Sequence, residues 1–185
     1  MIIDGVEMRG LEPGDAAGLA DAMVRNRAYL APTEPYRTAA FYTEAGQLAR
    51  IEEELALRDA GRSVPYVYVE AATGAPVGAI TLRSIVLGPL CSGGIGYWVD
   101  QAWNGRGLAT AGLEEVCRAA RDEVGLHRVE AGTLVGNLAS QRVLAKAGFV
   151  QYGLAPRYLH INGAWRDHRL FQRLLHEDPP PPPAG

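Results

Sequence analysis

Leu48, Ile51, Leu55 and the neighbouring Ala56 recur at three- and four-residue spacing, with Glu52, Glu53 and Arg58 between them. This is the period of one buried helix face, and it predicts a helix over Thr43 to Ala60 that stops at Gly61. Val6 to Leu11 reads instead as a short strand. The turn signal Pro13-Gly14 follows it, and Asp15 is in position to cap a helix over Ala16 to Arg27. Ala31 to Pro35 carries two prolines and reads as a loop.

From Pro65 to Glu70 the pattern becomes an alternation of aromatic and β-branched residues, Tyr66, Val67, Tyr68 and Val69. Val77 to Val86 also has strand character, and the Thr73-Gly74 turn makes the two segments a hairpin. Ile95 to Val99 is a further strand. Leu108 to Val124 is the most regular helix: Leu113, Val116, Cys117 and Ala120 share one side, with Glu114, Arg118 and Arg121 largely on the other. Gly125 ends it. His127 to Leu134 is predicted as a strand, Leu138 to Ala147 as a helix ended by Gly148, and Phe149 to Tyr152 as the start of another strand. Tyr158 to Ile161 and Trp165 to Leu174 flank Asn162-Gly163, a strong two-residue hairpin signal. Helices, antiparallel strands and a strand–helix–strand–helix–hairpin run together predict one α+β domain over residues 1–177 with a mixed sheet. Residues 178–185 contain five consecutive prolines and are expected to form an extended, mobile tail.

Composition narrows the function. With 185 residues, 48% hydrophobic and 21% charged, the chain is long and apolar enough for one real core. A net charge of −3 lacks the basic footprint of a protein that neutralises nucleic-acid phosphates, so no direct nucleic-acid partner is expected. Cys91 and Cys117 are the two cysteines, far apart and without a Cys/His cluster, which suggests neither a disulfide framework nor a metal site. Met1-Ile2-Ile3-Asp4 does not open a signal peptide and no run of 18 apolar residues occurs. A cytoplasmic protein without a membrane partner is the expectation.

The chemistry concentrates in one stretch, Gly96-Tyr97-Trp98-Val99-Asp100-Gln101-Ala102-Trp103-Asn104-Gly105-Arg106-Gly107-Leu108-Ala109-Thr110. A strand runs into a glycine-bearing loop that opens a helix. Two glycines flank Arg106 and let backbone amides approach a ligand, and the helix start offers unpaired N–H groups at a positive dipole end. Such a site suits an anionic diphosphate. It is not a P-loop, because no Gly-x-x-x-x-Gly-Lys-[Ser/Thr] is present, nor a Gly-x-Gly-x-x-Gly, because Thr110 takes the place of the third glycine. On spacing alone, an ordinary tight turn explains the glycines equally well.

Beyond spacing, the stretch resembles the acyl-CoA loop of the GNAT N-acetyltransferases, [Gln/Arg]-x-x-Gly-x-[Gly/Ala], which falls on Asn104 to Ala109 with Asn in the first position. Its flanks are similar to the RimJ/RimL-like, ribosomal-protein N-terminal acetyltransferase type. The similar segments are Gly96 to Asp100, Asn137-Leu138-Ala139-Ser140 with Val143-Leu144 and Ala147-Gly148-Phe149, Asn26-Arg27 with Leu30-Ala31-Pro32, and Gly163 to His168. They run in order from about residue 6 to residue 175.

The resemblance implies a GNAT-like, mostly antiparallel central sheet with helices on both faces and splayed strands forming the acyl-CoA cleft. It implies that Trp98 and Val99 offer main-chain groups to pantetheine, that Asn104 and Gly105 belong to the loop, and that Arg106, Gly107, Leu108, Ala109 and Thr110 cradle the pyrophosphate. Asn137 holds pantetheine from the other side. Ser140 lies near the sulfur and serves the leaving thiolate. Tyr36 and Arg37 are the residues expected to line the acceptor cleft. The donor implied is acetyl-CoA or another short acyl-CoA, and a homodimer fits the subgroup. Related sequences often carry a carboxylate just before the Gly-Tyr-Trp segment, whereas Cys91-Ser92-Gly93-Gly94 has none. Glu70, Asp100, Glu130 and His168 are therefore the residue candidates for a general base, with water as the alternative. The acceptor implied is a protein N-terminal α-amine. A small-molecule amine, succinyl-CoA as donor, and a non-catalytic CoA-binding module are the other readings.

Overall fold

The protein is described here by a computed structural model covering residues 1–179. Those residues form strands β1 (Val6–Gly10), β2 (Ser63–Glu70), β3 (Pro76–Val86), β4 (Ser92–Val99), β5 (Arg128–Leu134), β6 (Val150–Ile161) and β7 (Ala164–Leu174). The helices are α1 (Ala16–Arg25), α2 (Arg27–Leu30), α3 (Glu44–Asp59), α4 (Leu108–Asp122) and α5 (Leu138–Lys146). All seven strands join one sheet in the order β1-β2-β3-β4-β5-β7-β6. Every neighbouring pair is antiparallel except β4 and β5. The expected α+β, mostly antiparallel architecture is the observed one.

Alternation along β2 sends side chains to opposite faces. Val67 and Val69 join Leu11, Ala16, Leu19 and Ile51 in an apolar cluster under α1 and α3. Tyr68 turns the other way, into a larger cluster with Ile80, Leu82, Leu113, Val116, Leu144 and Phe171 under α4 and α5. Leu113, Val116, Cys117 and Ala120 of α4 are at most 3% exposed, so the 3.6-residue stripe is the buried face. Thr43 caps α3, its hydroxyl accepting the Gly46 N–H at 3.1 Å.

Local departures from the sequence reading have identifiable causes. Asp15 does not cap α1 with its side chain. It closes a 3-10 turn over Pro13–Asp15, accepting the Glu12 N–H at 2.9 Å and both Arg9 guanidinium nitrogens, at 2.9 and 2.6 Å. The first helix ends at Arg25 because Asn26 breaks the run before α2. β6 runs continuously through Pro156, which an interior strand would not tolerate. β6 is an edge strand, and a register shift between Ala155 and Leu159 absorbs the irregularity, with Arg157 at φ 49°. Asn162 and Gly163 both adopt positive φ, as the two-residue hairpin requires. Of the tail expected over 178–185, residues 180–185 lie outside the described residues.

Gly112, in the middle of α4, faces the Tyr68 hydroxyl so closely that a Cβ would overlap it. Helix propensity favours alanine there by about 1 kcal/mol, but overpacking a filled core costs about 1–3 kcal/mol or more. Gly112→Ala should therefore lower stability by about 1–2 kcal/mol in denaturant titration. The Tyr68 hydroxyl has no hydrogen-bond partner among the described residues. Adding Tyr68→Phe removes the nearest contact but leaves ring carbons at 2.6 and 3.0 Å, so it should restore part of the loss.

Candidate active site

β4 and β5 pair only at their first residues, Ser92 with Arg128, Gly93 with Val129 and Gly94 with Glu130. Beyond Gly94, β4 continues to Val99 against β3, while β5 continues to Leu134 against β7. The strands part there and leave a gap with an unpaired backbone edge. The Asp100 N–H donates to the Val77 carbonyl at 2.8 Å, and the Trp98 carbonyl lies beside Gly78 of β3. Peptide groups alternate in direction along a paired strand, so those of Tyr97 and Val99 face the gap. Of the two residues expected to offer main-chain groups, Val99 turns its own to the gap, whereas Trp98 turns its own to β3. The Trp98 side chain packs with the α1 and α3 cluster, and Tyr97 takes the opposite face.

Past Val99 the chain makes a 3-10 turn, Gln101–Trp103, and enters the glycine loop. Asn104 does not face free space. Its Nδ2 donates to the Tyr29 hydroxyl of α2 at 2.8 Å. The Arg106 guanidinium stacks 4.4 Å above the Trp103 ring. Gly105 and Gly107 have φ of 76° and 84°, and nothing occupies the space a Cβ would take at either. Gly107 is the N-cap of α4 and supplies no side chain to the helix start. Its carbonyl accepts the Ala111 N–H at 3.0 Å, so the N–H groups of Leu108, Ala109 and Thr110 are left without an intrahelical partner. Leu108, 1% exposed, pins this turn to the core. An open cradle of unpaired donors at a helix N-terminus fits the diphosphate of an acyl-CoA.

Asp100 fixes the loop to the body of the protein. It is buried, and Oδ2 accepts Arg25 Nε at 2.6 Å and Asn26 Nδ2 at 2.8 Å, while Oδ1 accepts the Ala102 N–H at 2.9 Å. Asn26 Oδ1 in turn accepts the Gln101 N–H at 2.9 Å. Burial alone would raise the Asp100 carboxyl, but the hydrogen bonds from Asn26, Ala102 and Arg25 outweigh it and hold the group below its ordinary value. With a depressed folded value, the stabilisation is fully present above the unfolded value of about 3.9, and is lost as pH falls through the folded value. Asp100→Ala should cost about 2 kcal/mol, discounted because Arg25 is partly exposed. Denaturant titration at neutral pH should show the loss, and the difference from the parent should shrink in acid.

Across the gap, Asn137 caps α5, its Oδ1 accepting the Ser140 N–H at 3.1 Å. Ser140 is thereby held at the first turn of α5, and its Oγ lies 2.8 Å from the Tyr97 hydroxyl of β4. Burial pushes the Tyr97 phenol up to about 12, with the Ser140 hydrogen bond acting the other way. The sequence reading missed Tyr97. Its signal was parity: with Trp98 on one face of β4, Tyr97 must take the other, which α5 covers.

Among the residues considered as bases, the three carboxylates are engaged. Asp100 is locked as described. Glu130 Oε1 accepts Arg128 Nη2 and the Tyr152 hydroxyl, both at 2.6 Å. Glu70 ends β2, two strands from β4, and accepts the Thr73 hydroxyl at 2.6 Å. His168 is buried on β7, with Nδ1 3.0 Å from the Arg166 carbonyl and its ring edge-on to Tyr158. Tyr36 and Arg37 line a cavity between the segment after α2 and the β6–β7 turn. Among the described residues, no group of three or more His, Cys, Asp or Glu side chains is arranged to hold a metal ion, and no helix is long and apolar enough to cross a membrane.

Residues 6–150 match the family described as "Acetyltransferase (GNAT) domain". The chain is 34% identical over 173 residues to "Probable N-acetyltransferase YjcK" of Bacillus subtilis, covering 94% of this chain and 96% of the relative. It is 30% identical over 167 residues to the [Ribosomal protein uS5]-alanine N-acetyltransferase of Escherichia coli, covering 90% of this chain and 86% of the relative. Its fold is similar to that of Mycobacterium smegmatis RimJ in complex with CoA-disulfide, at TM-score 0.86 and 33% identity over 91% of this chain and 81% of that one. A family match that begins at β1 and takes in both sides of the gap, together with relatives aligned along nearly the whole chain, means that the protein belongs to the GNAT acetyltransferases.

Proposed function

We propose that this enzyme transfers the acetyl group of acetyl-CoA to the α-amine of a protein N-terminus, of the ribosomal-protein type. The observation that carries the reading is the similarity to the uS5-alanine N-acetyltransferase over 90% of the chain. The chain's own geometry is compatible with it: β4 and β5 part after Gly94, and α2, whose Tyr29 meets Asn104 of the glycine loop, borders a separate open cavity.

The N–H groups at the start of α4, with Gly105 and Gly107, hold the diphosphate, and Arg106 adds positive charge. Val99 and Tyr97 offer main-chain groups to pantetheine along the open edge of β4. When bound, acetyl-CoA supplies an activated acyl carbon. The Val99 N–H is the donor in position to polarise the thioester carbonyl, as an oxyanion donor does. The lone pair of the neutral amine forms the carbon–nitrogen bond while the carbon–sulfur bond breaks. Ser140 passes its hydroxyl proton to the departing sulfur as it takes one from the Tyr97 hydroxyl that holds it in place, and water returns the proton to Tyr97. The proton lost by the amine goes to water. With the three carboxylates engaged and His168 on the strand behind β5, water is the base within reach, and an α-amine of reference pKa near 8 needs little help.

Calorimetric titration with acetyl-CoA and succinyl-CoA, followed by turnover on alanine-terminated peptides and a panel of small amines, tests the proposal. Micromolar binding of acetyl-CoA with turnover on peptides is the expected result. Preference for succinyl-CoA would change the donor, turnover restricted to small amines would change the acceptor, and binding of neither donor would overturn the reading.

A further inference from the structure

The cavity bordered by α2, the segment after it and the β6–β7 turn has a volume of ≈ 210 Å³ and takes no part in the acyl-transfer chemistry. Its walls carry two guanidiniums held over aromatic rings, Arg27 4.5 Å above Tyr42 and Arg37 4.4 Å above Phe41. One carboxylate faces them. Glu34 pairs with Arg37 at 2.9 Å, and its backbone carbonyl accepts the Asn162 N–H at 3.1 Å, which ties this wall to the hairpin turn. Arg27 makes no ion pair among the described residues, and Arg37 Nε is buried without a hydrogen-bond partner. The lining therefore carries an excess of positive charge in a chain whose net charge is −3. Stacking leaves the hydrogen-bonding edge of Arg27 free, while Arg37 shares its own with Glu34, and a carboxylate is the planar anion that such an edge matches.

Position relates this cavity to the reaction. Asn26 bonds to Asp100, the residue after Val99, and Arg27 is the next residue along. The cavity wall thus begins one residue from the contact that anchors the end of β4. We propose that it is a subsite for an acidic side chain of the acceptor peptide, carried a few residues downstream of the reacting amine. This rests on the N-terminal acetylation reading and adds an acceptor preference to it.

The test uses the full chain, acetyl-CoA and peptides that share an N-terminal alanine and carry either glutamate or lysine at the second, third or fourth residue. The expected result is a kcat/KM about tenfold higher for glutamate at one of these positions, equivalent to about 1.4 kcal/mol. Arg27→Glu and Arg37→Glu should each remove or invert that ratio. Because the ratio is read within each variant, partial unfolding cancels. Equal turnover of the two peptide series, or a glutamate preference unchanged in both variants, would overturn the subsite while leaving N-terminal acetylation standing. Turnover of small amines with no turnover of any peptide would overturn both.

Discussion

Gly107→Glu should weaken acetyl-CoA binding by at least about 100-fold in calorimetric titration while the protein remains folded. Two effects act together. At φ 84° a side chain enters the left-handed region, which costs about 1–2 kcal/mol in stability, in the free and the bound protein alike. The decisive effect is electrostatic. The Cβ points into empty space at the start of α4, so the new carboxylate stands in the proposed diphosphate cradle. Two like charges about 5 Å apart at an effective dielectric constant near 20 repel by about 3 kcal/mol, which is about 100-fold in affinity. Gly107→Ala carries the backbone strain without the charge. It should lower stability by a similar amount and leave the dissociation constant within about tenfold of the parent. Unchanged affinity in the glutamate variant would move the phosphate site elsewhere.

Ser140→Ala should lower kcat by about 100-fold with little change in KM, because a positioned proton donor to a leaving group contributes about that much or more. Tyr97 acts through Ser140, so Tyr97→Phe should lower kcat by about tenfold. The double variant should be hardly worse than Ser140→Ala alone, since the two hydroxyls form one unit. The pH profile gives an independent check. The rate should rise with pH through about 8 as the acceptor amine loses its proton. No falling limb from Tyr97 should follow in the usual range, because burial keeps the phenol protonated until about 12. Full activity in Ser140→Ala would remove the serine from the leaving-group role.

Periodicity made the fold legible where each element buries a single face. The stripe on α4 and the alternation on β2 both read correctly because the far side of each meets solvent or a second layer. Arg25, Asn26 and Asp100 were not legible as a unit, since about 75 residues separate them and no local pattern announces the pairing. Asp15 looked like a helix cap because cap residues are recognised by type, yet Arg9 and Glu12 claim its carboxylate. Of the possible bases, Glu130 had its partner two residues away in Arg128, so pairing was foreseeable. The locking of Asp100 required the third dimension. The same holds for the glycine loop: Gly105 and Gly107 were readable as turn residues, but the engagement of Asn104 by Tyr29 was not.

The short segment from Asn26 to Tyr29 joins the glycine loop to the neighbouring cavity. Asn26 grips Asp100, Tyr29 meets Asn104 of the glycine loop, and Arg27 between them lines the cavity. Glycine loop and cavity wall are thus joined by one turn of helix, so any factor by which acetyl-CoA changes acceptor affinity must equal the factor by which the acceptor changes acetyl-CoA affinity.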